Sequence, residues 1–343
     1  MPSGFTASLI AVLILAVVFD YINGFHDTAN AIATSVSTRA LKPEYAIVLS
    51  ATANFVGALT GTAVAGTIAG GLVRPLPAGT GAGAIDPNQL VVMAALIGAI
   101  CWNLLTWRLG IPSSSSHALI GGLLGASIAG GGLGTVQGAG VFNKVIVPLV
   151  SSPIAGFAIA FALMVAIYWL FRRARPARLN ERFRRLQVVS AGFMAFSHGS
   201  NDAQKTMGII TLALFSAGII PSRAVVPLPV ILLAATAISL GTMAGGWRII
   251  KTMGQRVVKL DPVHGFAAET TAATVILFAS HLGMPVSTTH VISTAIMGVG
   301  SVDRPKAVRW GLAGNIGLAW VLTLPASGAV AGAAFVALHA ILG

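Results

Sequence analysis

Charge is what this sequence has least of. Of 343 residues, 9% are charged and 55% are hydrophobic. A soluble chain carries about 25% charged residues. The shortage excludes an ordinary soluble enzyme, and the apolar surplus excludes a disordered chain. Cysteine is nearly missing too. Cys101 stands alone, so a disulfide scaffold is excluded. No His/Cys cluster has the spacing of a metal site. No Walker A sequence is present, which speaks against ATP hydrolysis. No segment alternates polar and apolar residues as a strand would. Acidic residues are scarcest, 9 against 21 basic, for a net charge of +12. On a soluble chain that balance would suggest nucleic acid. Here the basic residues are read as cytoplasmic loop anchors, with no nucleic-acid partner. With a mean hydropathy of +0.86, the class is an all-α polytopic protein of the lipid bilayer.

A spanning helix needs about 20 apolar residues. Ten candidate segments occur, at about 5–22, 44–70, 89–107, 116–130, 145–171, 187–215, 224–246, 262–282, 290–301 and 310–342. The first is not expected to be a signal peptide, since no Lys or Arg precedes it and no small-residue cleavage pattern follows. Basic residues then set the orientation. With the N-terminus outside, 17 of the 21 fall inside: Arg39, Lys42, Arg108, seven arginines from Arg172 to Arg185, Arg248, Lys251, Arg256, Lys259, Arg304, Lys306 and Arg309. Arg74, Lys144 and Arg223 fall outside, and Lys205 falls within a span. Both termini are therefore expected outside. Segments 116–130 and 290–301 are short, and each either crosses or pairs with its predecessor as a re-entrant hairpin. Arg108 argues weakly for crossing.

Two polar motifs recur. Leu109-Gly110-Ile111-Pro112-Ser113-Ser114-Ser115-Ser116-His117 returns 173 residues later as Leu282-Gly283-Met284-Pro285-Val286-Ser287-Thr288-Thr289-His290. Asn23-Gly24-Phe25-His26-Asp27-Thr28-Ala29-Asn30 returns 175 residues later as His198-Gly199-Ser200-Asn201-Asp202-Ala203-Gln204-Lys205. Order and offset agree, so the chain reads as a duplication: residues 1–171, a basic cytoplasmic linker at 172–186, and residues 187–343. An odd number of crossings separates the copies, so they are inverted in the membrane. Inverted repeats with polar, Gly- or Pro-interrupted segments are the pattern of secondary transporters, with the site near the midplane.

The motifs suggest what is bound. Gly110 and Pro112 break one helix, and Pro285 another. Each break exposes unpaired N–H groups at the positive start of the next helix. The hydroxyls of Ser113, Ser114, Ser115, Ser116, Ser287, Thr288 and Thr289 add donors there, making a site for a tetrahedral oxyanion. Plain helix capping is the bland alternative. Asp27 and Asp202, with Asn30 and Asn201, offer carboxylate and amide oxygens at membrane depth, where a charge marks an ion path or a paired partner. They suit Na⁺, or protons if desolvation raises the carboxyl pKa. Lys205 either pairs with Asp202 or neutralises a bound anion. Glu269 is a third intramembrane carboxylate, a coupling or gating candidate, and the first half has Leu96 in its place. His26, His117, His198 and His290 shuttle protons or serve as neutral core residues. Asp20 lies nearer an interface. Asp86 and Asp303 read as solvated loop residues.

These motifs resemble the duplicated signature of the Pit family of inorganic phosphate transporters. Cys101-Trp102-Asn103-Leu104 and Trp320 to Pro325 are also similar to its bacterial members. The resemblance covers nearly the whole chain. It implies a dimeric symporter in the bacterial cytoplasmic membrane, with no cofactor, importing phosphate with H⁺ or Na⁺. In many bacterial members the cargo is a complex of phosphate with a divalent metal. It places binding on Asp27, Asn30, Ser113 to Ser116, Asn201, Asp202 and Ser287 to Thr289. His26 departs from the Asn-Asp pair of many members, and Glu269 lacks a first-half partner. Both departures lean towards protons. A sulfate permease of the same fold is the alternative; monohydrogen phosphate can donate a proton to Asp27 or Asp202, and sulfate cannot. An intramembrane enzyme would leave the hydroxyl motifs without a role. A passive channel would not move its anion against a gradient.

Overall fold

In hydrocarbon a backbone must satisfy its own hydrogen bonds, so an apolar chain of this kind folds into helices. The computed structural model describes residues 6–77 and 85–342, without the side chains of Trp247, Gln255 and Arg256. Residue 5, the expected start of the first segment, lies outside the described residues, as does the Arg256 side chain. The helices are α1 (Ala7–Ser37), α2 (Pro43–Ala58), α3 (Ala63–Gly70), α4 (Pro87–Leu109), α5 (Ser115–Gly131), α6 (Gly138–Val141), α7 (Val147–Leu170), α8 (Pro176–Ser216), α9 (Leu228–Ala244), α10 (Trp247–Lys251), α11 (Pro262–His281), α12 (Thr288–Asp303) and α13 (Trp310–Leu342). Among the described residues the sole β pairing is an isolated bridge between Val73 and Val136.

Each of the ten apolar stretches falls on a helix, but they are not ten equal crossings. Among the described residues, four helices can span a membrane by length and composition, or up to six if each bent pair counts once. The 44–70 stretch is two helices, α2 and α3, bent by 69°. α1 runs straight through the polar motif at 23–30 instead of ending at 22. Its polar side chains face inward and are buried there. α8 starts at Pro176, so most of the 172–186 linker is helical. Asp86 is not a loose loop residue. It caps α4, accepting from the Asn88 N–H, as Asp261 caps α11.

Two apolar clusters make the interior. α1 gives Leu9 to Phe19 to one and Ala29 to Ala33 to the other. α8 gives Ala203 to Leu214 to the first and Met194 to Ala195 to the second. The two helices are thus antiparallel, and the polar stretch of each lies at the seam between clusters. Packing is reciprocal between the halves. α1 lies on α9 and α8 on α2; α5 lies on α13 and α12 on α7. Glycines set the first two contacts. A Cβ on Gly24 would lie 2.2 Å from the Ile238 carbonyl oxygen, and one on Gly199 2.1 Å from that of Asn54.

Candidate functional site

The breaks after α4 and α11 are built alike. Gly110 and Gly283 take left-handed backbone, φ 68° and 64°, which glycine adopts at no steric cost. Pro112 and Pro285 follow, and a new helix starts. Ser114 caps α5 by accepting from the His117 N–H at 3.1 Å. Ser287 caps α12 by accepting from the His290 N–H at 3.2 Å. The capping role is therefore present at both helix starts. The two starts touch. Ser116 Oγ donates to the Val286 carbonyl at 3.2 Å, and the His117 and His290 rings lie 4.9 Å apart. Trp320 stacks on His290, with ring centres 4.0 Å apart.

α1 and α8 bring their carboxylates to this junction. Asp27, His198 and Asp202 each offer a ligand atom, all within 4.8 Å of one another and all buried. The surrounding contacts come in matched pairs. Ser115 donates to Asp27 at 3.4 Å, and Thr288 to Asp202 at 3.5 Å. Asn30 donates to Thr289 at 2.9 Å, and Lys205 to Ser116. The His26 ring meets Thr106 at 3.1 Å, and Asn201 donates to Ser280 at 2.7 Å. Lys205 Nζ lies 2.5 Å from Asp202 Oδ1, and His26 Nδ1 2.6 Å from Asp27 Oδ1.

Of the predicted residues, Asp27, Asn30, Asn201, Asp202, Lys205, Ser115, Ser116, Thr288 and Thr289 converge here, with Ser113, Ser114 and Ser287 shaping the breaks. All are buried, 2% exposed at most, so the site is shut from solvent in this conformation. The side-chain carbonyls of Asn30 and Asn201 are buried without a hydrogen-bond partner. These spare acceptors suit a cation. Glu269 does not join the group. It accepts from Thr34 and Ser190, and from Gln187 at 3.2 Å, a separate link between α1, α8 and α11.

Thr106 and Ser280 carried no sequence signal, since a lone hydroxyl in an apolar run is common. Asp20 is fully buried, and neither carboxylate oxygen has a hydrogen-bond partner. Its signal was an acid inside an apolar run, the same that marked Asp27.

Whole-chain comparisons place the chain in a family. A Bacillus subtilis (strain 168) protein called "Probable low-affinity inorganic phosphate transporter" is 48% identical over 332 residues, covering 97% of each chain. One of the same title from Rhizobium meliloti (strain 1021) is 49% identical over 320 residues, covering 93% of each. A solved structure titled "The sodium-dependent phosphate transporter" superposes with a TM-score of 0.87 at 25% identity, covering 98% of this chain and 100% of that one. The model described as "Phosphate transporter family" matches residues 23–331. A phosphate transporter is not an enzyme, and the chain belongs to the phosphate transporter family.

Proposed function

We propose that the protein is a secondary active symporter that imports inorganic phosphate, driven by H⁺ or Na⁺. One observation carries this reading: two hydroxyl-capped helix starts, one from each half, meet beside a carboxylate from each half. Helix starts and hydroxyls favour an oxyanion. Carboxylates in the same closed space hold the protons or cations that enter with it. Asp27, His198 and Asp202 also suit a divalent metal arriving as a phosphate complex.

The halves are inverted repeats in this scheme, and the contact between their breaks supports re-entrant hairpins. If both hairpins crossed fully, inverted copies would put residues 110–115 and 283–288 on opposite faces, about 30 Å apart. Ser116 touches Val286 instead. Arg108, which argued for crossing, is exposed at the first break. The protein sits as a homodimer in the bacterial cytoplasmic membrane, both termini outside, with alternate opening of the closed site to each face.

Proteoliposome uptake of labelled phosphate, with pH and Na⁺ gradients imposed in turn, tests the proposal. Accumulation against a gradient supports it. Equilibration alone would mean a channel, and competition by excess sulfate would mean a sulfate permease.

A further inference from the structure

Lys205 is a buried charge that the transport scheme does not require. Its side chain is 1% exposed, which is costly for an ammonium unless it is paired. The repeat shows what it replaces. Asn30 stands three residues after Asp27, and Lys205 three residues after Asp202, at the same offset of 175. Their partners match as well. Asn30 donates to Thr289, and Lys205 to Ser116, 173 residues before Thr289. One position of the duplicated site thus carries an amide in the first half and an ammonium in the second.

The atoms around Lys205 Nζ are those of a cation site. Asp202 Oδ1 lies at 2.5 Å, the Val286 carbonyl oxygen at 3.1 Å, and Ser116 Oγ also accepts. A carboxylate, a backbone carbonyl and a hydroxyl are what a hard cation takes. An ammonium has one positive charge and three donors to match them. A Na⁺ ion bound to the same oxygens would face the ammonium with little dielectric between them. The second-half residues therefore do not fit Na⁺, and in the first half the His26 ring, 2.6 Å from Asp27 Oδ1, stands where the second half has the Asn201 amide.

We propose that Lys205 is a tethered cation occupying the second-half ion position, and that it decides the coupling ion by making transport independent of Na⁺. This rests on the symport reading. The charge that a Na⁺ would bring in and release stays attached to the protein through the cycle.

The test compares wild type with Lys205→Asn, which puts the first-half residue into the second half. Phosphate uptake is driven by a pH gradient in proteoliposomes, in Na⁺ or in choline. In parallel, Trp fluorescence of the purified proteins is titrated with NaCl against choline chloride, with Trp320→Phe identifying the signal from the site. Wild type is expected to transport equally in both salts and to show no Na⁺ titration. Lys205→Asn is expected to be stimulated by Na⁺ about fivefold or more, the lower end of ordinary coupling between sites, and to titrate. Na⁺-dependent uptake or a Na⁺ titration in wild type overturns the inference. So does a folded Lys205→Asn that responds to Na⁺ in neither assay. If that variant does not fold, the wild-type arms decide. If wild type moves no phosphate under any gradient, the symport reading fails, and the fluorescence arm still decides the role of Lys205.

Discussion

The two halves carry the same polar frame and fill it differently. In the first half Asp27 faces His26, and Asn30 reaches Thr289. In the second half Asp202 faces Lys205, and Asn201 reaches Ser280. Hydroxyl donors, helix caps and close-packed glycines match across the halves. Nitrogen-bearing side chains do not: the ring of His26 stands where Asn201 stands, and the ammonium of Lys205 where Asn30 stands. The two halves thus share a packing solution and distribute charge differently within it. One carboxylate pairs with an ammonium, and the other with an imidazole ring.

The largest expected effect is common to those carboxylates. Asp27→Asn and Asp202→Asn should each abolish gradient-driven uptake, and normal uptake by both at normal expression would refute their role. Their effects on folding should differ. Asp202→Asn strands a buried ammonium, a loss of about 3–5 kcal/mol, seen as a lower melting temperature. Asp27→Asn should melt nearer to wild type. Pairing Asp202→Asn with Lys205→Gln should restore most of the lost stability. Next in size, Gly24→Ala and Gly199→Ala should each destabilise by about 1–3 kcal/mol, since a methyl group there meets a backbone carbonyl. A clear inequality in their thermal melts would break the equivalence of the α1–α9 and α8–α2 contacts. Ser114→Ala and Ser287→Ala should each cost about 1 kcal/mol as lost caps and weaken phosphate binding to similar degrees. Unequal loss of affinity in equilibrium binding would mean that one helix start does most of the holding.

The smallest effect concerns the helix-start caps Asp86 and Asp261. Burial pushes the Asp261 carboxyl up, but the His264 ring and the backbone N–H groups of Val263 and His264 outweigh it, leaving it below the ordinary 3.8. The folded chain then binds this proton more weakly than the unfolded chain does. The stability that follows is full above about 3.8 and is lost as pH falls through the folded value. Asp261→Asn should therefore lower the melting temperature at neutral pH, and the gap to wild type should narrow near pH 3. A gap that widens on acidification would show that the cap does not act through its charge.

Much of this was legible because polar residues are conspicuous in an apolar chain. Asp27, Asp202 and the two hydroxyl runs suggested the repeat, and most of the residues that meet at the junction, before any coordinates. The continuation of α1 through 23–30 was not legible. Hydropathy falls equally for a helix break and for a helix turning polar groups inward. The bend between α2 and α3 was hidden for the opposite reason, since Thr60-Gly61-Thr62 barely interrupts the apolar run. Lys205 was seen as a pair for Asp202, but its contact with Ser116 spans 89 positions, and no local pattern reports that distance. Asp86 looked solvated because a capping carboxylate and a free one read alike until the following N–H groups are placed.

The reciprocal packing also decides which parts can move. α1 is locked to α9 and α8 to α2 by glycine contacts, and α5 and α12 lie against long helices of the opposite half. Any bodies that move against each other in the proposed cycle are therefore mixed, each assembled from helices of both halves. Neither half is complete alone. Severed within 172–186, the fragments should fold as partners and fail as individuals, as two strands of a braid hold only when woven.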